Sequence, residues 1–115
     1  MIKIWHNSRC SKSREAKSIL DDAGVEFEVF EYLKDNFTKD DIKNIMQKLS
    51  IIDVKDMLRK KESEYKEYDI ENKTLDEVLD ILIKVPKLIE RPIIIKGDSA
   101  VIARPMENLH ELLKK

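Results

Sequence analysis

The residues His6-Asn7-Ser8-Arg9-Cys10-Ser11-Lys12-Ser13-Arg14 surround the chain's one cysteine with polar and cationic side chains. The nucleophilic form of cysteine is the thiolate, and an unperturbed thiol of pKa about 8.5 is only slightly ionised at neutral pH. Two features of this run favour ionisation. His6, Arg9, Lys12 and Arg14 cluster around Cys10 in sequence. Cys10 also stands where a helical pattern begins, so free backbone N–H groups and the positive end of the helix dipole face it. The same helix end favours an oxyanion. A structural cysteine normally sits in an apolar run, so these polar neighbours favour a reactive thiol. With no second cysteine in the chain, redox chemistry at Cys10 needs a resolving thiol from another molecule.

His6 lies four residues before Cys10 and has two available roles, stabilising the thiolate as a cation or orienting a neighbour by hydrogen bonding. By itself it reads as an ordinary loop histidine, and His110 as part of the last helix. The chain has five arginines against seventeen lysines, and a guanidinium offers a planar fork for oxyanions that an ammonium lacks. Arg59 lies in Met57-Leu58-Arg59-Lys60-Lys61-Glu62. Arg91 and Arg104 each precede a proline, Pro92 and Pro105, which pushes both toward extended conformations at strand ends. Taken singly, each arginine reads as a surface ion pair of small energetic consequence. Base rates favour a trans Arg91-Pro92 bond.

The elements that must position these groups follow from periodicity. Met1–Trp5 alternates as a strand, and Ser11–Ala23 is a helix with Ala16, Ile19, Leu20 and Ala23 at helical spacing, closed by Gly24. Phe27–Tyr32 is a second strand, parallel to the first. Thr38 begins a helix with Ile42, Ile45, Met46 and Leu49 on its apolar face. Val54–Arg59 reads as a short helix, and the polar stretch Lys60–Lys73 as loop or solvated helix. Thr74 and Glu77 form a capping box for a helix bearing Leu75, Val78, Leu79, Leu82 and Ile83. Pro92–Ile95 and Ala100–Ala103 are strands joined by a tight turn at Lys96-Gly97-Asp98-Ser99. Pro105 suits the first turn of a last helix with Leu109, Leu112 and Leu113 buried. The order is β-α-β, a helical insertion over about 38–84, then β-β-α, within a single domain of 115 residues. That order is the thioredoxin-like one, an α/β fold with the cysteine at the start of its first helix.

Composition narrows the class. Apolar residues make up 42%, charged residues 39%, and the net charge is -1 with both signs interspersed. A nucleic-acid or membrane-surface protein would show a basic excess. One cysteine and two histidines give no basis for a metal site. No run approaches the roughly 20 apolar residues of a membrane span, no signal peptide is evident, and the expected location is a reducing cytoplasm.

The run His6 to Glu15 resembles the active-site segment of the glutaredoxin-linked arsenate reductases, whose usual form is His-Asn-Pro-x-Cys-x-x-Ser-Arg. The segments Leu58-Arg59-Lys60-Lys61-Glu62, Glu90-Arg91-Pro92-Ile93-Ile94-Ile95 and Ala103-Arg104-Pro105 are similar too, in the same order. The resemblance spans essentially the whole chain. It implies a thioredoxin-like (glutaredoxin-like) fold with a helical insertion and, against the base rate, a cis peptide before Pro92. It implies that the Cys10 thiolate attacks arsenate to form a thiol–arsenate adduct, that glutathione as co-substrate and glutaredoxin as transient partner resolve it, and that arsenite is released. By the same resemblance His6 lowers the Cys10 pKa, Arg59, Arg91 and Arg104 bind the oxyanion, and Ser13 and Arg14 contribute beside the thiolate. No bound cofactor is implied, and a monomer is expected. Ser8 departs from the family's proline and leaves the loop without a fixed φ, and the short C-terminus resembles the family's short chromosomal branch.

Two alternatives stand beside this reading. An Spx-like, thiol-sensing regulator of RNA polymerase would usually carry a Cys-x-x-Cys pair, where this chain has Ser13, and would lack an arginine matching Arg104. A glutathione-dependent thiol oxidoreductase acting on another substrate would use the same thiolate and cations.

Overall fold

Ile2 and Ile4 alternate along strand β1 (Ile2–Trp5) and are both buried on one face of a sheet. The structure, a computed structural model, describes all residues 1–115. Helix α1 (Ser11–Asp22) follows, with Cys10 as its N-cap and Ala23 as its C-cap. Gly24 then adopts φ 70°, the left-handed conformation that glycine takes without a Cβ clash. Strand β2 (Phe27–Phe30) runs parallel to β1 in a register pairing Ile2 with Phe27 and Trp5 with Phe30. It stops short of the expected Tyr32 because the N–H groups of Lys34 and Asp35 both return to the Glu31 carbonyl, forming a turn.

Strands β3 (Ile93–Lys96) and β4 (Ser99–Ile102) form the expected hairpin. Gly97, at φ 59°, is the first of its two loop residues, as a type II′ turn requires. β3 pairs antiparallel with β1, giving the strand order β2-β1-β3-β4. Helix α5 (Glu107–Leu113) closes the chain. The expected start of that helix at Pro105 is corrected: Arg104-Pro105 is a cis peptide and the helix begins two residues later. A cis X-Pro bond belongs to a tight turn and not to a helical first turn.

One buried cluster joins Ile2, Ile4 and Ile94 of the sheet to Ala16 and Leu20 of α1 and to Ala103, Leu109 and Leu112. Burying a side chain such as Ile4 or Leu20 stabilises the fold by roughly 1.5–3 kcal/mol. Residues Met1–Asp35 and Arg91–Lys115 make up this compact unit, and Asn36–Glu90 makes up another. The insertion expected over about 38–84 lies inside the second unit.

In the second unit, helices α2 (Lys39–Leu49) and α4 (Leu75–Lys84) pack together. Each starts with a reciprocal capping box, Thr38 with Asp41 and Thr74 with Glu77. Ile42, Ile45, Met46, Val78, Leu79 and Leu82 are buried, and Lys39 Nζ bridges Asp76 (3.0 Å) and Asp80 (2.8 Å). The helix expected at Val54–Arg59 is a single 3-10 turn, Val54–Met57, begun by Asp53 accepting the Lys55 N–H. The stretch Lys60–Lys73 contains helix α3 (Ser63–Glu67) and a 3-10 turn, Ile70–Asn72. Tyr65 and Ile70 are buried there, so this stretch is anchored and not simply solvated.

Candidate active site

Strand register determines what meets at the end of the sheet in the first unit. β3 begins and β4 ends at the paired residues Ile93 and Ile102. Two residues further along the same register, Arg91 stands opposite Arg104. β1 ends at Trp5, which pairs with Ile93, so the loop from His6 to Cys10 leaves the sheet at the same end. Arg104 Nε donates to the Arg91 carbonyl at 2.7 Å, and the Ala103 N–H to the Pro92 carbonyl at 3.0 Å. Arg91-Pro92 is a cis peptide, as the resemblance implies.

Cys10 is buried at the N-cap of α1, with extended backbone (φ -96°, ψ 123°). Arg104 Nη2 lies 3.7 Å from its Sγ. Burial alone pushes this thiol up. The Ser13 N–H, the Arg91 guanidinium through a hydrogen bond and its charge, and the Lys12 N–H pull it down, and the net result lies below the ordinary thiol value. Lys12 and Ser13 are the second and third helical residues, whose N–H groups have no partner within the helix. Arg91 Nε is buried without a hydrogen-bond acceptor. A thiol biased toward thiolate thus shares one corner with two guanidinium groups, one of them holding an unused buried donor.

The loop before Cys10 is held from α1. The Ser13 hydroxyl is fully buried, 2.6 Å from His6 Nδ1, and accepts the Asn7 N–H at 3.0 Å. Ser13 therefore reaches the thiol through its backbone N–H, while its side chain braces the loop. His6 is buried and donates its own N–H to the Phe30 carbonyl at 2.8 Å. Burial lowers its pKa below the ordinary value; the Glu31 charge raises it, and those of Lys17 and Arg14 lower it. Arg14 Nη1 donates to the Ser8 carbonyl at 2.9 Å.

Arg59 lies in the second unit. Its Nη1 is 2.5 Å from Glu62, its Nε is 3.8 Å from Glu90, and its N–H donates to the Leu88 carbonyl at 2.7 Å. Glu62 also lies 3.7 Å from Lys87, so Arg59 belongs to a charge network. No group of three or more His, Cys, Asp or Glu side chains comes together to hold a metal ion. No helix is long and apolar enough to cross a membrane.

Sequence reasoning passed over Asn7. Its carbonyl accepts the Cys10 N–H at 3.0 Å, and its Oδ1 accepts the Arg9 N–H at 3.0 Å. An asparagine three residues before a helix N-cap is the first position of a β-turn in which asparagine is favoured, and that signal was available.

The chain is similar in sequence and in fold to known proteins. The sequence model of the ArsC family matches residues 5–112. An arsenate reductase of Neisseria meningitidis serogroup A is 40% identical over 114 residues, covering 97% of this chain and 97% of the relative. One from Haemophilus influenzae is 38% identical, covering 97% of this chain and 98% of the relative. The solved structure of an arsenate reductase from Vibrio cholerae superposes with a TM-score of 0.91 at 35% identity, over 96% of this chain and 95% of that one. The sheet order and helix placement are those of the thioredoxin-like fold such structures share.

Proposed function

The chain belongs to the ArsC family, and from that premise we propose that it reduces arsenate to arsenite through the Cys10 thiolate. The observation carrying this reading is the corner formed by Cys10 Sγ, Arg104 Nη2 at 3.7 Å and the Arg91 guanidinium with its buried, unpartnered Nε. Leaving a buried donor unsatisfied costs about 1–3 kcal/mol, and an oxyanion oxygen supplies the missing acceptor. Bringing an anion to a thiolate is repulsive, and two guanidinium groups offset that repulsion.

Arsenate binds with its oxygens on Arg91 and Arg104. Sγ attacks arsenic and one oxygen leaves as water, giving a thiol–arsenate adduct. A glutathione thiol and a glutaredoxin thiol then supply two electrons. Arsenic passes from As(V) to As(III), the two external sulfurs end as a mixed disulfide, and water cleaves the Sγ–As bond, releasing arsenite and returning Cys10 as a thiol. His6 and Ser13 hold the loop that presents Sγ. Participation of Arg59 in anion binding, like the monomeric state and the cytoplasmic setting, rests on the resemblance. At the second position of a would-be Cys-x-x-Cys pair stands Ser13, whose hydroxyl is engaged by His6 and Asn7. This weighs against a thiol-sensing regulator.

The test is arsenate-dependent NADPH oxidation with glutathione, glutaredoxin and glutathione reductase. The expected result is turnover that Cys10→Ser abolishes. Arg104→Leu, by removing a charge-assisted donor of about 1.5–3 kcal/mol, is expected to lower kcat/KM roughly ten- to hundredfold. Activity no higher than that of Cys10→Ser overturns the proposal.

A further inference from the structure

The turn that delivers Cys10 to the helix is Asn7-Ser8-Arg9-Cys10, closed by the Cys10 N–H on the Asn7 carbonyl at 3.0 Å. Ser8 and Arg9 are its two central residues. The peptide unit between them is held on one side by its N–H, which Arg9 donates to Asn7 Oδ1 at 3.0 Å, and on the other by its carbonyl; rotation of this unit would reorient Cys10, the next residue but one. The Ser8 carbonyl is held by Arg14 Nη1 at 2.9 Å. The backbone N–H of the same arginine donates to the Cys10 carbonyl at 3.0 Å, one helical turn back. Arg14 therefore grips the Cys10 segment at two points, by main chain and by side chain. It is solvent-exposed. The groups that act on the thiol are Arg91 and the N–H groups of Ser13 and Lys12, with Arg104 Nη2 also near Sγ, whereas the Arg14 charge acts on His6.

We propose that Arg14 is a positioning residue, whose guanidinium fastens the Ser8 carbonyl to α1 and so fixes the direction in which Cys10 presents Sγ. It acts through the loop and not as a donor to the oxyanion. The inference uses the reading of Cys10 as a reacting thiol, but its test needs no arsenate. A failure here leaves the reductase reading standing, and a failure of that reading leaves this one.

The experiment follows iodoacetamide alkylation of Cys10 against pH in the full chain. Arg14→Met keeps the aliphatic stem at an exposed position, so the fold is retained. The expected result is an alkylation midpoint raised by about half a pH unit, roughly threefold less thiolate at lower pH. The same shift is expected in about 1 M NaCl, where the screening length is about 3 Å. Ser8→Pro places a fixed φ at the turn position proline favours, and in the Arg14→Met background it is expected to recover more than half of the shift. An unchanged midpoint, a shift abolished by salt, or a shift that Ser8→Pro leaves in full would each overturn the proposal.

Discussion

Ser13 Oγ stands between two polar groups of the preceding loop, His6 Nδ1 at 2.6 Å and the Asn7 nitrogen at 3.0 Å. The asparagine N–H can only donate, so the hydroxyl accepts there and has one proton left to give. Giving it to His6 Nδ1 requires a neutral imidazole with its proton on Nε2, in keeping with the lowered pKa of this buried ring. Burial favours the neutral ring, and His6 braces the loop through its contact with Ser13. Ser13→Ala removes a partner from both groups and is expected to cost about 1–3 kcal/mol in urea denaturation. The histidine also sets a pH dependence. Its folded pKa lies below the unfolded value of 6.5, so above pH 6.5 both states are neutral and stability is full. As pH falls below 6.5 the unfolded chain takes up the proton first and stability declines. Denaturation between pH 7.5 and 5.5 is expected to show this decline, and His6→Gln to flatten it. An equal slope in the variant would contradict the assignment. The sequence marked both His6 and Ser13. It did not reveal that each is the other's partner, because a seven-residue separation across a loop–helix junction has no periodic signature.

At the scale of elements, the helix starts were legible because capping chemistry is local. Thr38-Lys39-Asp40-Asp41 and Thr74-Leu75-Asp76-Glu77 carry both halves of their capping boxes within four residues. Thr38→Ala and Thr74→Ala are each expected to lower stability by about 1 kcal/mol, measured by chemical denaturation, with Thr→Asn largely neutral. For helix α3 the sequence left loop and solvated helix both open, and its buried anchors were not legible, for the opposite reason. Among Lys60–Lys73 only Tyr65 and Ile70 are buried, and two anchors five residues apart make no stripe. The hydrogen bond from Tyr65 Oη to Glu71 Oε1 at 2.6 Å secures this stretch through pairing that no pattern rule scores. Pro105 misled because proline suits both a helical first turn and a cis turn, and the residues beside it do not distinguish the two.

For the whole molecule, the first helix and the last hairpin converge on one corner although Cys10 and Arg104 are 94 residues apart. Local reasoning rated each arginine a surface charge. The strand register of an antiparallel hairpin beside β1 brings Arg91 and Arg104 to the thiol, and in the sequence only the resemblance of four segments in order hinted at it. A chain with a single cysteine cannot resolve its own adduct. Steady-state arsenate reduction is therefore expected to vanish when glutathione is omitted, with at most one equivalent of arsenate held per protein. Sustained turnover without an external thiol would contradict the proposed cycle. The central claim is that Cys10, Arg91 and Arg104 form one oxyanion site, and protection of Cys10 tests it most directly. Iodoacetamide alkylation is followed with and without arsenate, in the native chain and in Arg104→Leu. Arsenate is expected to slow alkylation severalfold in the native chain, at concentrations that give little protection in the variant. An alkylation rate indifferent to arsenate in the native chain would contradict the claim.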